Sequence, residues 1–130
     1  MAGDALILDT CAVLWLGRGD GPLSDAARRR VDAATTVWVC AITGFEIALK
    51  VRRSQLVLPL SPREWLRQVI EHHDFSELAL SLDLCARSAE LPPIHRDPAD
   101  RLIIAAALEH SLTVVTTDAT FGSYGVTVLS

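Results

Sequence analysis

The fold class this sequence predicts is α/β: helices sandwiching a mainly parallel central sheet. Three observations predict it. Short apolar or β-rich runs recur along the chain, at Ala5-Leu6-Ile7-Leu8, Val37-Trp38-Val39-Cys40 and Thr113-Val114-Val115-Thr116. The first is continuously apolar, the pattern of a strand buried on both faces. Between the runs lie segments with helical periodicity, and strands alternating with helices wind into parallel sheets. At 130 residues, 50% of them hydrophobic, the chain suits one domain, residues 1–130, around one core. It carries no internal repeat, low-complexity tract or interdomain linker.

Taken in order, a strand is expected over 5–8, ending at Asp9. Residues 11–16 read as a short helix closed by Gly17 and the Gly19-Asp20-Gly21-Pro22 turn. Ser24 is a good N-cap for a helix over 25–34, acidic early and carrying Arg28-Arg29-Arg30 later. A second strand takes 37–40. Thr43 followed three residues on by Glu46 has the capping-box pattern and opens a helix to residue 53. Residues 56–60 are extended. Ser61-Pro62 then start a helix with Trp65, Leu66, Val69 and Ile70 on one face. A short strand over 77–80 precedes a helix capped by Ser81, which Pro92-Pro93 stop after Leu91. Pro98 has no backbone N–H and suits a first helical turn, so Asp97 is the expected N-cap of the next helix. Asp100 takes its third position, and the apolar residues 102–108 bury it. A strand over 113–116, a turn bracketed by Gly122 and Gly125, and a strand over 126–129 complete the chain.

Twelve basic and sixteen acidic residues leave a formal charge of −4, which weakly disfavours a chain coated in phosphate contacts and does not exclude a nucleic-acid ligand. Cys11, Cys40 and Cys85 lack metal-ligand spacing and sit among apolar residues, so they read as small buried hydrophobes in a reducing compartment. Met1-Ala2-Gly3-Asp4 lacks the basic region of a signal peptide, and the longest apolar run is too short for a bilayer. The expectation is a cytoplasmic protein with no membrane partner.

The acids carry the chemistry. In open parallel sheets, ligands bind beyond the carboxyl ends of the strands. Asp9 follows the first strand, Asp118 follows the 113–116 strand, Glu46 opens the helix after the second strand, and Asp97 and Asp100 open the buried helix. Each has a local reading: Asp9, Asp97 and Glu46 as caps, Asp100 answering a cap, Asp118 as a turn residue. Independent caps have no reason to share one sheet edge, whereas carboxylates gathered there repel one another and recruit a cation. An all-oxygen set selects Mg²⁺ or Mn²⁺ over Zn²⁺ and suits phosphodiester cleavage by water. The four histidines form no metal constellation of their own. His95 lies near the acidic helix start, where a structural role is expected.

The stretches Leu6-Ile7-Leu8-Asp9-Thr10, Ile42-Thr43-Gly44-Phe45-Glu46-Ile47-Ala48-Leu49-Lys50, Leu91-Pro92, 95–104 and Val115-Thr116-Thr117-Asp118 together resemble the PIN-domain ribonucleases. The resemblance is greatest to the VapC-like toxins of bacterial toxin–antitoxin pairs and covers essentially the whole chain. It implies a PIN-like α/β/α sandwich. The family's acidic metal-binding positions match Asp9, Glu46, Asp100 and Asp118, with Asp97 in a supporting role. Thr10 and Thr117 match positions where small hydroxyl residues line the site. Thr43 and Phe45 stand where the family often has Ser and Trp. The resemblance further implies Mg²⁺- or Mn²⁺-dependent endonucleolytic cleavage of RNA, a homodimer, and inhibition by a cognate antitoxin.

Cations that could meet RNA are Arg28-Arg29-Arg30, Lys50, Arg52, Arg53 and Arg101. Arg101, next to Asp100, is expected to pair with a carboxylate. Trp15, Trp38 and Trp65 read as core or dimer surface. Two rival functions remain open. One is a catalytically silent PIN-like module that binds antitoxin or nucleic acid, against which the intact acid set speaks. The other is a phosphatase with an aspartyl nucleophile, which would need a second Asp where Cys11 stands.

Overall fold

A computed structural model describes residues 3–130. Five strands form one sheet in the order β3-β2-β1-β4-β5: β1 (Ala5–Leu8), β2 (Thr36–Cys40), β3 (Ser76–Leu78), β4 (Thr113–Val115) and β5 (Val128–Leu129). All four neighbouring pairs are parallel, with Leu8 opposite both Val39 and Val115. The sheet is thus wholly parallel. The chain leaves β1 toward β2 and β3, then returns to the other side of β1 for β4, so a topological switch point lies between β1 and β4.

β1 shows why the sheet needs helices on both faces. Leu6, Ile7 and Leu8 are all 0% exposed. Successive side chains point to opposite faces. Leu6 and Leu8 join a core with α1 (Thr10–Arg18), α2 (Asp25–Ala33), α3 (Ala41–Arg52) and α4 (Pro62–His73). Ile7 joins a second core with α5 (Leu82–Glu90) and α6 (Pro98–His110). The result is the expected three-layer sandwich.

Most helix starts follow their sequence signals. Ser24, Ser61 and Ser81 accept from Ala27, Glu64 and Leu84 N–H groups. Asp97 accepts from the Ala99 N–H at 2.9 Å with Pro98 in the first turn, as expected. The capping box at Thr43 does not form. α3 begins directly after β2 at Ala41, with Cys40 as a cap that offers no side-chain bond. Thr43 and Glu46 therefore lie within the helix, and Glu46 is free of capping duty.

Other boundaries shift modestly. α1 starts at Thr10, because Asp9 accepts from the Ala12 N–H. β3 is shorter than expected and earlier, and β5 keeps only Val128 and Leu129. Residues 119–124, expected as a turn, form a 3-10 helix capped by Asp118 and closed by Gly125 in the left-handed region. Residues 56–60 join no strand. Cys40 is buried, but Cys11 and Cys85 are exposed, against the expectation of three buried thiols. Neighbouring apolar residues do not bury a cysteine when its own helical face points outward.

Gly17 marks where α1 lies against α4. A Cβ there would stand 2.7 Å from two Trp65 ring atoms and 2.9 Å from a Val69 methyl. Alanine's helix preference favours Gly17→Ala by about 1 kcal/mol, while overpacking costs about 1–3 kcal/mol. Trp65 is itself buried, so the clash dominates. Gly17→Ala should lower stability by about 1 kcal/mol, read from the urea midpoint.

Candidate functional site

The acids expected at the sheet edge meet in one pocket. Asp9, Thr10, Cys11, Glu46, Lys50, Asp97, Asp100, Thr117 and Asp118 line it. It opens beyond the carboxyl ends of β1 and β4, at the switch point. Each side chain arrives by a local device.

Asp9 is the buried N-cap of α1, 7% exposed. Its Oδ1 accepts from Ala12 N–H at 2.7 Å and its Oδ2 from the Thr116 hydroxyl at 2.6 Å. Burial pushes its pKa up, and these two bonds oppose the shift without cancelling it. Thr116, fully buried at the end of β4, also accepts from the Asp118 N–H at 3.0 Å. It was not among the expected site residues. A hydroxyl ending a buried strand beside Thr117-Asp118 is the signal that marks it.

Glu46 projects from α3 and accepts a short hydrogen bond from the Thr10 hydroxyl. That bond uses the single Thr10 hydrogen, so Thr43, fully buried 3.1 Å away, donates to Thr10 in turn. Thr43 thus supports Glu46 through Thr10, not through a cap. Burial raises the Glu46 pKa too, assisted by the nearby Asp97 charge.

Asp100 has the largest shift. Burial first, then the neighbouring Asp97 charge, push its pKa to about 7. Asp118 is more open. Burial pushes its pKa up, but bonds from the Thr120 N–H and from His95 prevail, holding it below the ordinary carboxylate value. Its Oδ1 accepts from Thr120 N–H at 2.9 Å.

His95 reaches the acids. Its Nε2 lies 3.1 Å from Asp100 Oδ2 and 2.9 Å from Asp118 Oδ2, so one imidazole touches two of the acids. These three side chains have ligand atoms within 4.8 Å of one another. The His stands five residues before Asp100 in sequence, across a loop whose path the pattern alone does not reveal.

Arg101 is corrected as well. It pairs with no carboxylate. Its guanidinium donates to the carbonyls of Leu91 at 2.6 Å, Pro92 at 3.0 Å and His95 at 3.1 Å. A planar fork with five donors suits this collection of carbonyls. Arg30 pairs with Asp4, ahead of β1 and at the opposite edge of the sheet, and Arg28 donates to the Asp20 and Gly21 carbonyls. Arg28 and Arg30 are therefore engaged away from the pocket. Lys50 lines the acid pocket, and Lys50, Arg53 and Arg96 line an adjoining groove that shares Glu46 and Asp97 with it. Trp65 is core, Trp15 is half-buried against the same core, and Trp38 is half-buried against the core on the other face of the sheet.

Residues 6–126 match the family model described as PIN domain. The chain belongs to the PIN-domain family. A PIN relative, Ribonuclease VapC22 of Mycobacterium tuberculosis, is 32% identical over 114 residues, covering 87% of this chain and 86% of its own. The structure of FitAcB from Neisseria gonorrhoeae superposes with a TM-score of 0.66 at 26% identity, over 96% of both chains. A toxin–antitoxin complex from Klebsiella pneumoniae shares the PIN fold, with a TM-score of 0.65 at 16% identity over 97% of each chain.

The pKa pattern sets the sign of a pH effect. Folded Asp100 keeps its proton up to about pH 7, whereas the unfolded side chain loses it near 3.8. Between those values the folded chain binds more protons, so its stability falls as pH rises through that window. Asp9 and Glu46 shift the same way. The metal-free protein should melt lower at about pH 8 than at about pH 5.5. Asp100→Asn should flatten that slope and raise stability at the higher pH by on the order of 1 kcal/mol, measured by thermal melts in chelator.

Proposed function

We propose that this chain is a metal-dependent endoribonuclease of the toxin–antitoxin type, acting as one domain. The observation that carries the reading is the convergence of Asp9, Glu46, Asp100 and Asp118 on one pocket at the switch point of a PIN sheet. The relative named a ribonuclease supports RNA as the substrate, and the toxin–antitoxin neighbour supports a cognate antitoxin as the partner. A homodimer, residence in the cytoplasm and the absence of a membrane partner belong to the same proposal. Among the described residues, no helix is long and apolar enough to cross a membrane.

The donor set fits a divalent cation. Five carboxylates, Asp9, Glu46, Asp97, Asp100 and Asp118, share the pocket with one lining cation, Lys50. Three of them, Asp9, Glu46 and Asp100, have pKa values pushed up, by burial first and by neighbouring carboxylate charge after it. Hard carboxylate oxygens favour Mg²⁺ or Mn²⁺, and Asp9, Glu46, Asp100 and Asp118 are the residues that would hold it. Bound there, the cation would supply Lewis-acid charge for hydrolysis of the phosphodiester.

The chain's own residues do the rest. Thr116 and the Ala12 N–H fix both Asp9 oxygens, leaving one lone pair on each for the pocket. Thr10, backed by Thr43, fixes Glu46. Lys50, Arg53 and Arg96 offer charge to the phosphates flanking the cut, and Phe45, 62% exposed beside them, offers a face to an unstacked base.

Asp9→Asn and Asp100→Asn should each reduce Mn²⁺-dependent RNA cleavage by at least about a hundredfold, with circular dichroism unchanged. Unaltered cleavage in both would overturn the assignment of the chemistry to these acids, and no cleavage by the unmutated protein would leave the silent binding module. Because Glu46 is no cap, Glu46→Gln should also cut activity by about tenfold or more without lowering the melting temperature.

A further inference from the structure

His95 touches two acids of the pocket, and its other nitrogen shows how it does so. The Asp97 N–H donates to His95 Nδ1 at 3.1 Å. A nitrogen that accepts a hydrogen bond carries no proton, so in a neutral ring the hydrogen lies on Nε2. That hydrogen bonds Asp118 Oδ2 at 2.9 Å, and the Asp100 carboxylate lies 3.1 Å from the same nitrogen without a hydrogen bond to it. An imidazole bound to a metal through Nε2 would have to give it up.

The ring is held on every side. Its edge packs on Phe121, with centroids 5.6 Å apart and planes at 85°. Its backbone N–H donates to the Tyr124 hydroxyl at 2.7 Å, and its carbonyl accepts from Arg101. The Tyr124 hydroxyl also accepts from the Ile94 N–H at 3.1 Å and donates to the Pro92 carbonyl at 2.7 Å. Tyr124 and Arg101, themselves in contact through an Arg101 N–H donated to the Tyr124 hydroxyl at 3.3 Å, thus clamp the loop between α5 and α6, and the clamp aims the ring.

We infer that His95 is a positioning residue of the acid pocket, an Nε2–H donor that ties down the Asp118 carboxylate beside Asp100 and stands behind the two acids instead of ligating. A carboxylate oxygen that accepts one hydrogen bond keeps a lone pair for a cation. Groups bonded to ligands in this way fix the ligands' orientation. The tie also brings together two elements: Asp100 on α6 and Asp118 after β4.

Two measurements test this. In ¹⁵N-labelled metal-free protein, long-range ¹H–¹⁵N correlation at mildly alkaline pH should show His95 protonated on Nε2 and bare on Nδ1. That state should persist when Mg²⁺ is added. An Nδ1–H tautomer, or loss of the Nε2 proton on adding Mg²⁺, would overturn the inference. This measurement needs no variant and no activity, so it stands apart from the ribonuclease reading. The second rests on the metal site proposed above. His95→Ala should weaken Mn²⁺ binding by calorimetry about 10–100-fold, and His95→Gln, which keeps an N–H near the same place, should restore most of it. Equal affinity in His95→Ala and the unmutated protein, or equal losses in the two variants, would count against the tie. No Mn²⁺ binding by the unmutated protein would instead strike the metal reading, leaving the tautomer to decide the role of His95.

Discussion

A buried carboxylate at the end of the central strand is the constraint on which the site depends. Asp9 sits where β1 gives way to α1, and its backbone N–H bonds the Val115 carbonyl at 3.1 Å. Its side chain caps α1 and takes the Thr116 hydroxyl. One residue therefore fastens β1, α1 and β4 at the point where the chain order reverses. Leaving those oxygens unpaired would cost about 1–3 kcal/mol each. Both are satisfied, and burial still raises the pKa. Hydrogen bonding fixes where the charge sits without fully compensating for its loss of water.

Gathering further acids around such a group is opposed by repulsion, and the fold answers with oriented donors. Asp9, Asp97 and Asp118 each accept a backbone N–H at a helix start, and Asp100 lies in the first turn of α6. The positive ends of helices favour ionised carboxylates by about 0.3–1 kcal/mol. Glu46 has no such help in the body of α3, which is why it depends on the Thr10–Thr43 hydroxyl pair. Among the described residues, every buried side-chain polar atom has a partner. The remaining strain is electrostatic, and it resides in Asp100.

What was legible in sequence was what depends on short-range pattern. The apolar run before Asp9, the serine caps and Asp97-Pro98 are local, so they placed strands and helices correctly. Parallel topology then carried Asp9, Asp100 and Asp118 to one edge without a structure. Thr43-Glu46 misled because the capping box is a spacing, and spacing does not say where a helix begins. α3 starts at once from β2, with a cap that offers no side-chain oxygen. Arg101 misled for a related reason: adjacency to Asp100 in sequence puts it about 100° around the helix, facing the loop carbonyls. His95, Thr116 and Tyr124 depend on tertiary contacts that no periodicity encodes.

Arg101 and Asp100 show how closely support and site are joined. On consecutive positions of one helical turn, Arg101 gathers the carbonyls of the preceding loop and Asp100 enters the pocket. The loop so gathered presents His95 back to Asp100. A guanidinium reaching the carbonyls of Ala89, Leu91, Pro92 and His95 sets the loop's distance from α6, and that distance sets how far the imidazole extends over the acid. Lysine would keep the charge but reach the carbonyls from a single point, releasing the others. The helix start, the loop and the ring therefore form one closed circuit of contacts, and the position of the Asp100 carboxylate is fixed from both ends of it.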